Sequence, residues 1–97
     1  MEKGEKRIVR WTMPAADDLR RITLYIRRDN PTAARKVATK IFNAGNALEA
    51  FPYRGRKGRI PETRELLFPG LPYILVYQVT ESALEILRIY HAAQDWP

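Results

Sequence analysis

Cysteine is absent from the 97 residues. That excludes a disulfide framework and a thiol nucleophile, and it fits an intracellular protein. No apolar run approaches the roughly 20 residues that a membrane-spanning helix needs. The opening residues, Met1-Glu-Lys-Gly-Glu-Lys-Arg7, are charged and lack the apolar stretch of a signal peptide. A cytoplasmic location without a membrane partner is expected. Histidine is scarce, with His91 the only one. The carboxylates Asp17, Asp18 and Glu49 have no His or Cys beside them, so neither a metal site nor a cofactor is expected. Repeats and low-complexity segments are also missing.

What is present is positive charge, unevenly placed. Residues 1–60 carry 15 Lys/Arg against 6 Asp/Glu, a balance of +9, whereas residues 61–97 carry 2 against 5, a balance of −3. A basic half suits a polyanion or an acidic protein partner, and equally a solvated surface. The length allows one domain, 1–97, of modest stability that a tight partner would raise.

Local patterns give an element order. Lys6 to Trp11 alternates as a short strand. Thr12 or Met13 caps a helix with Pro14 in its first turn. Its apolar stripe is Ala15, Leu19, Ile22 and Ile26, and it ends near Arg28. Asp17 and Asp18 lie toward the positive end of the helix dipole, Arg27 and Arg28 toward the negative end. Asn30 and Pro31 start a second helix, with Ala34, Val37, Ala38, Ile41, Gly45 and Leu48 on one face. Ala and Gly on that face allow close helix approach, and Pro52 stops the helix around Ala50. Phe51 to Pro61 reads as a loop. Strands follow at Thr63–Phe68, Tyr73–Val79 and Leu84 to about His91, joined by Pro69-Gly70 and Thr80-Glu-Ser82. Connections this short predict an antiparallel meander. The fold class is α+β, β-α-α-β-β-β, with an antiparallel helical hairpin on a small, mainly antiparallel sheet. On the middle strand, Tyr73, Leu75, Tyr77 and Val79 should share one face, and Ile74, Val76 and Gln78 the other.

An ordered set of segments now resembles the ParE-like toxins of the RelE/ParE superfamily. It comprises Ala15-Ala-Asp-Asp-Leu19 with Ile22 and Tyr25-Ile26, Pro31-Thr-Ala-Ala34, and Leu48 with Phe51-Pro52. Arg64-Glu-Leu66, Tyr73-Ile-Leu-Val-Tyr77 and Ile86-Leu-Arg-Ile-Tyr-His91 complete it, so the resemblance runs from about Arg7 to Pro97. It implies the toxin of a type II toxin–antitoxin system, held inactive by a cognate antitoxin whose C-terminal segment wraps it. Operator DNA would be met only through the antitoxin. ParE-like members poison DNA gyrase, and RelE-like members cleave messenger RNA on the ribosome. A third possibility is a relic that binds its antitoxin without toxicity.

The residues bear on that choice. RNA cleavage by 2′-OH attack needs a base, an acid and cations on the phosphate. In the resemblance, RelE-like nucleases place an Arg directly after the Tyr of the Tyr-Arg-Leu-Val-Tyr strand. Here Ile74 takes that position and offers no donor. A second basic residue expected near Ala92 is missing too. The remaining catalytic candidates are His91, preceded by Tyr90 as in some RelE-like relatives, with Arg64 or Arg88 as a phosphate clamp. For the two arginines, ion pairs to Glu65 or Glu85 are the alternative role. The expected contacts to a target or antitoxin are Arg54, Arg56, Lys57 and Arg59 of the basic loop, with Tyr90 and Trp96. That loop is no phosphate-binding loop, because it lacks the Gly-Lys-Ser/Thr ending that opens a helix. Tyr73 and Tyr77 share a face with Leu75 and Val79, which makes them core residues before they are base-stacking platforms.

Overall fold

A computed structural model describes residues 7–93. The elements are β1 (Ile8–Trp11), α1 (Met13–Arg27), α2 (Pro31–Ala47), β2 (Arg56–Lys57), β3 (Arg64–Leu67), β4 (Tyr73–Val79) and β5 (Ala83–His91). They build one five-stranded sheet in the order β1-β5-β4-β3-β2. Strands β2 to β5 run antiparallel to their neighbours, and β1 lies parallel to β5.

Helix boundaries follow from the caps. The Thr12 hydroxyl accepts from the Ala15 N–H at 3.3 Å, and the Asn30 side chain from the Ala33 N–H at 3.0 Å. Each satisfies a first-turn donor that lacks an intrahelical partner. Helix α2 ends at Ala47, three residues before the expected stop. The chain then continues in tighter turns, with the Glu49 and Ala50 amides donating to Asn46 and Ala47 carbonyls.

The two helices cover one sheet face. Ala15, Ile41 and Leu48 meet Leu66, Phe68, Tyr73, Leu75, Tyr77, Leu84, Ile86 and Ile89 in the core. Full burial of one such aliphatic side chain stabilises by about 1.5–3 kcal/mol. Gly45 serves a different contact from the expected one. A Cβ there would meet the Trp11 ring at 2.7 Å and Ile86 at 2.9 Å, so the missing side chain seats β1 and β5 rather than α1. Trp11 stacks on Phe42 and donates its indole N–H to Asn46 at 3.0 Å.

Two features depart from the sequence pattern. First, the basic loop contains β2, where Arg56 faces Glu65 and Lys57 faces Arg64. Two residues carry no periodicity, so only the pairing with β3 defines this strand. Second, the β4–β5 register shifts between Val76 and Tyr77, with Leu87 as the extra residue. The bulge lets Ile86 and Ile89, an odd number of positions apart, both enter the core. Thr12 holds the bulge by donating its hydroxyl to the Ile86 and Leu87 carbonyls at 2.9 and 3.1 Å. No helix among the described residues is long and apolar enough to cross a membrane.

Candidate functional site

The sheet face turned away from the helices is apolar at its centre. Ile74 sits between Leu67 on β3 and Tyr90 on β5, and Val76 between Glu65 and Arg88. Ile74 and Val76 are buried on this face, while Leu67 is 48% exposed. The Arg88 guanidinium lies 5.1 Å above the Tyr90 ring and helps shield this strip.

Arg88 is not free to move across that face. Beyond Trp11, β1 no longer pairs with β5, and α1 runs along the vacated edge. There Asp18 accepts from Arg88 Nε at 2.8 Å and Nη2 at 3.1 Å, and from the Ile89 N–H at 2.9 Å. The carboxylate is buried, and these three donors offset its desolvation. The hydrogen bonds to Asp18 hold the Arg88 pKa above the ordinary arginine value, against the opposing effect of burial. The partner is thus neither Glu65 nor Glu85. Asp18 also lies one turn deeper in α1 than a dipole role requires, since the first turn holds no acidic residue.

The basic loop is organised by two buried groups. Glu65, 3% exposed, accepts from Arg56 Nε at 2.9 Å and from the Arg59 backbone N–H at 3.0 Å. Arg56 Nη2 also stands 2.9 Å from it, and Arg59 Nε 3.9 Å. Tyr77 accepts from the Gly55 N–H and donates to the Pro52 carbonyl, both at 2.8 Å. Burial pushes the Tyr77 hydroxyl pKa up, partly opposed by the Gly55 hydrogen bond and the Arg64 charge.

The candidate catalytic residues do not converge. Arg64 pairs in register with Tyr77, on the helix side of the sheet, and Arg88 with Val76, on the other. His91 faces Tyr73, edge-on with ring centroids 5.6 Å apart, and its Nδ1 accepts from the Ala93 N–H at 3.1 Å. Tyr73 and Tyr77 lie four positions apart on β4, about 13 Å along a strand. Arg64 and Arg88 therefore do not clamp one phosphate in this arrangement, and Tyr90 lies on the face opposite His91. Of the contact candidates, Arg56 and Arg59 are bound to Glu65. Arg54 lies on the rim of an open groove of about 640 Å³ with the exposed rings of Phe51 and Tyr53. Trp96 lies outside the described residues.

Three organising residues escaped the sequence pattern: Asp18, Glu65 and the Tyr77 hydroxyl. Asp18 left a signal, because it falls on the apolar stripe of α1 between Ala15 and Ile22. Among the described residues no group of acidic, His or Cys side chains has the makings of a metal site.

Comparison with known proteins is consistent with this architecture. Residues 9–96 match the family described as ParE toxin of type II toxin–antitoxin system, parDE. Y4kP of Sinorhizobium fredii is 44% identical over 89 residues, covering 92% of each chain. Toxin RelE2 of Caulobacter vibrioides is 35% identical over 84 residues, covering 87% of this chain and 93% of its own. Among solved structures, the chromosomal ParDE toxin–antitoxin system from P. aeruginosa superposes with a TM-score of 0.82 at 26% identity, covering 89% of this chain and 96% of the other. The RelBE2 toxin–antitoxin complex from Mycobacterium tuberculosis shares the fold, with a TM-score of 0.61 at 22% identity, covering 97% and 100%.

Proposed function

The chain belongs to the ParE toxin family of type II toxin–antitoxin systems, and from that premise we propose that it is restrained by a cognate antitoxin and, once released, inhibits DNA gyrase rather than cutting messenger RNA. The apolar centre of the sheet face turned away from the helices carries this reading. Ile74 stands between Leu67 and Tyr90, at the position where the RelE-like Tyr-Arg-Leu-Val-Tyr pattern that this strand resembles has an arginine. Phosphoryl chemistry without donors aimed at the developing charge loses the largest contribution to catalysis. Arg88, which pairs with Val76 on the same face, is held by Asp18.

A protein that acts by binding has other needs. It requires a shaped contact surface with charge and aromatic area, and no acid–base pair. The loop from Phe51 to Arg59 supplies both, with Phe51 and Tyr53 exposed beside Arg54. An antitoxin partner is favoured by the relatives, since the similar structures are those of toxin–antitoxin systems. Operator DNA would then be reached only through that antitoxin.

Induction of the chain without its antitoxin tests the reading. DNA-damage signalling and transcript integrity are followed in one culture, and supercoiling by purified gyrase is measured alongside. The expected result is damage signalling and blocked supercoiling with intact transcripts. Codon-positioned transcript cuts without DNA damage would sink it in favour of the ribosome-dependent endoribonuclease. Growth without either effect, with antitoxin binding retained, would indicate the non-toxic relic.

A further inference from the structure

At the end of the sheet, on the helix side, Lys57 and Arg64 face each other across β2 and β3. Like charges placed directly opposite destabilise a strand pair. Their neighbours Arg56 and Arg59 share the carboxylate of Glu65, yet among the described residues no carboxylate lies within ion-pair distance of Lys57 or Arg64. Arg64 Nε is buried and has no hydrogen-bond partner there, which is costly for a charged group. Its guanidinium is held 5.2 Å above the Tyr53 ring, so its direction is fixed in advance. Both cations line a recess of about 390 Å³, walled by Tyr53, Pro61, Glu62 and Val79.

We propose that Lys57 and Arg64 form a carboxylate-binding site that takes an acidic side chain of a bound protein segment. A guanidinium presents its N–H groups as a planar fork that matches a carboxylate, and Lys57 adds a second donor from across the strand pair. Glu62 on the rim leaves the recess one positive charge in excess, which suits one carboxylate better than a phosphate dianion. Walls on several sides admit a side chain more readily than the continuous backbone of a DNA duplex. The site rests on the antitoxin-bound reading above only for the source of the carboxylate. It is independent of which cellular target the toxin has.

The test uses the full chain and three probes: acetylated tetraglutamate, inorganic phosphate and a short DNA duplex. Nitrogen-detected NMR follows the Arg64 side-chain Nε–H and the Lys57 amide. Tetraglutamate should shift both saturably. Lys57→Ala and Arg64→Gln should each weaken binding about tenfold, the loss of one charge-assisted contact. Arg35→Gln, exposed on α2 and outside the recess, should change it less than about threefold, as a rim charge does. Lys57 is exposed on an edge strand, so its replacement should leave the fold intact, which circular dichroism checks. Absence of a saturable shift, an equal loss with Arg35→Gln, or tighter Arg64-dependent binding of phosphate or DNA would overturn the proposal. None of these outcomes touches the gyrase reading, which is scored by supercoiling.

Discussion

The Gly55 N–H donates to the Tyr77 hydroxyl at 2.8 Å, and that contact leaves no room for a side chain on Gly55. A Cβ there would stand 2.7 Å from the hydroxyl and 2.8 Å from the Glu65 carbonyl. Tyr77 is fully buried, so it ties the start of the basic loop to the centre of the sheet. Gly55→Ala should destabilise by about 1–3 kcal/mol through overpacking. Tyr77→Phe should cost a similar ~1–3 kcal/mol, because it strands the Gly55 donor and the Pro52 acceptor. Urea unfolding of both variants checks this. A cost below about 0.5 kcal/mol for both would mean that the loop is anchored elsewhere.

Alkaline pH should act through the same tyrosine and its neighbour on β4. Burial raises the pKa of Tyr73 and Tyr77 above the ordinary value of 10.0, with a smaller contribution from Tyr25 at Tyr73. A folded-state pKa above the unfolded one stabilises fully below the unfolded value. That stability is lost as pH rises through the folded value. The fold should therefore be insensitive to these groups at neutral pH and weaken above about pH 10. Ultraviolet titration should show two phenols ionising only as the protein unfolds. Ionisation of all five tyrosines in one early step would contradict it.

Asp18 should behave as a structural carboxylate. Asp18→Ala removes the acceptor of Arg88 and of the Ile89 N–H, and it is expected to cost about 2–4 kcal/mol. Asp18→Asn keeps an acceptor for the backbone and should cost about half as much. Hydrogen exchange at Ile89 separates the two, with protection lost in the alanine variant and largely kept in the asparagine variant. Equal protection in both would detach the sheet edge from this side chain.

Glu62 offers the opposite direction. It holds φ at 70°, in the left-handed region that costs an L-residue roughly 1–2 kcal/mol. It sits in the turn closed by the Thr63 N–H on the Ile60 carbonyl at 3.2 Å, after Pro61. Glu62→Gly or Glu62→Asn should raise stability by up to about 1 kcal/mol, seen as a higher Tm. A lower Tm for both would show that the Glu62 side chain contributes more than the strain it imposes.

His91→Ala provides the functional check. Its ring packs on Tyr73 and faces away from Tyr90 and Arg88. Growth arrest on induction should persist in the variant. Loss of arrest with fold and antitoxin binding intact would give His91 a chemical role after all.

Much of the architecture was legible in the order of residues. Thr12 with Pro14 and Asn30 with Pro31 mark both helix starts, because capping depends on atoms three residues away. Tyr73–Val79 is a strand by composition and alternation, and it forms over those residues. The site was less legible. Charge density drew attention to all four cations of the basic loop, yet two of them are consumed by Glu65. The short strand β2 has too few residues to show a period of its own.

By itself, then, the sequence determined the helical hairpin, the meander, and the apolar character of position 74. All three depend on near neighbours along the chain or on the identity of one side chain. Only the tertiary structure decided which arginines are occupied. Asp18 and Arg88 are 70 positions apart, and Tyr77 and Gly55 are 22 apart. Such pairs leave no periodic trace, because their partners are chosen by where the sheet ends and how the helices lie across it. The same geometry leaves Lys57 and Arg64 face to face, with no acid of the described residues paired to either.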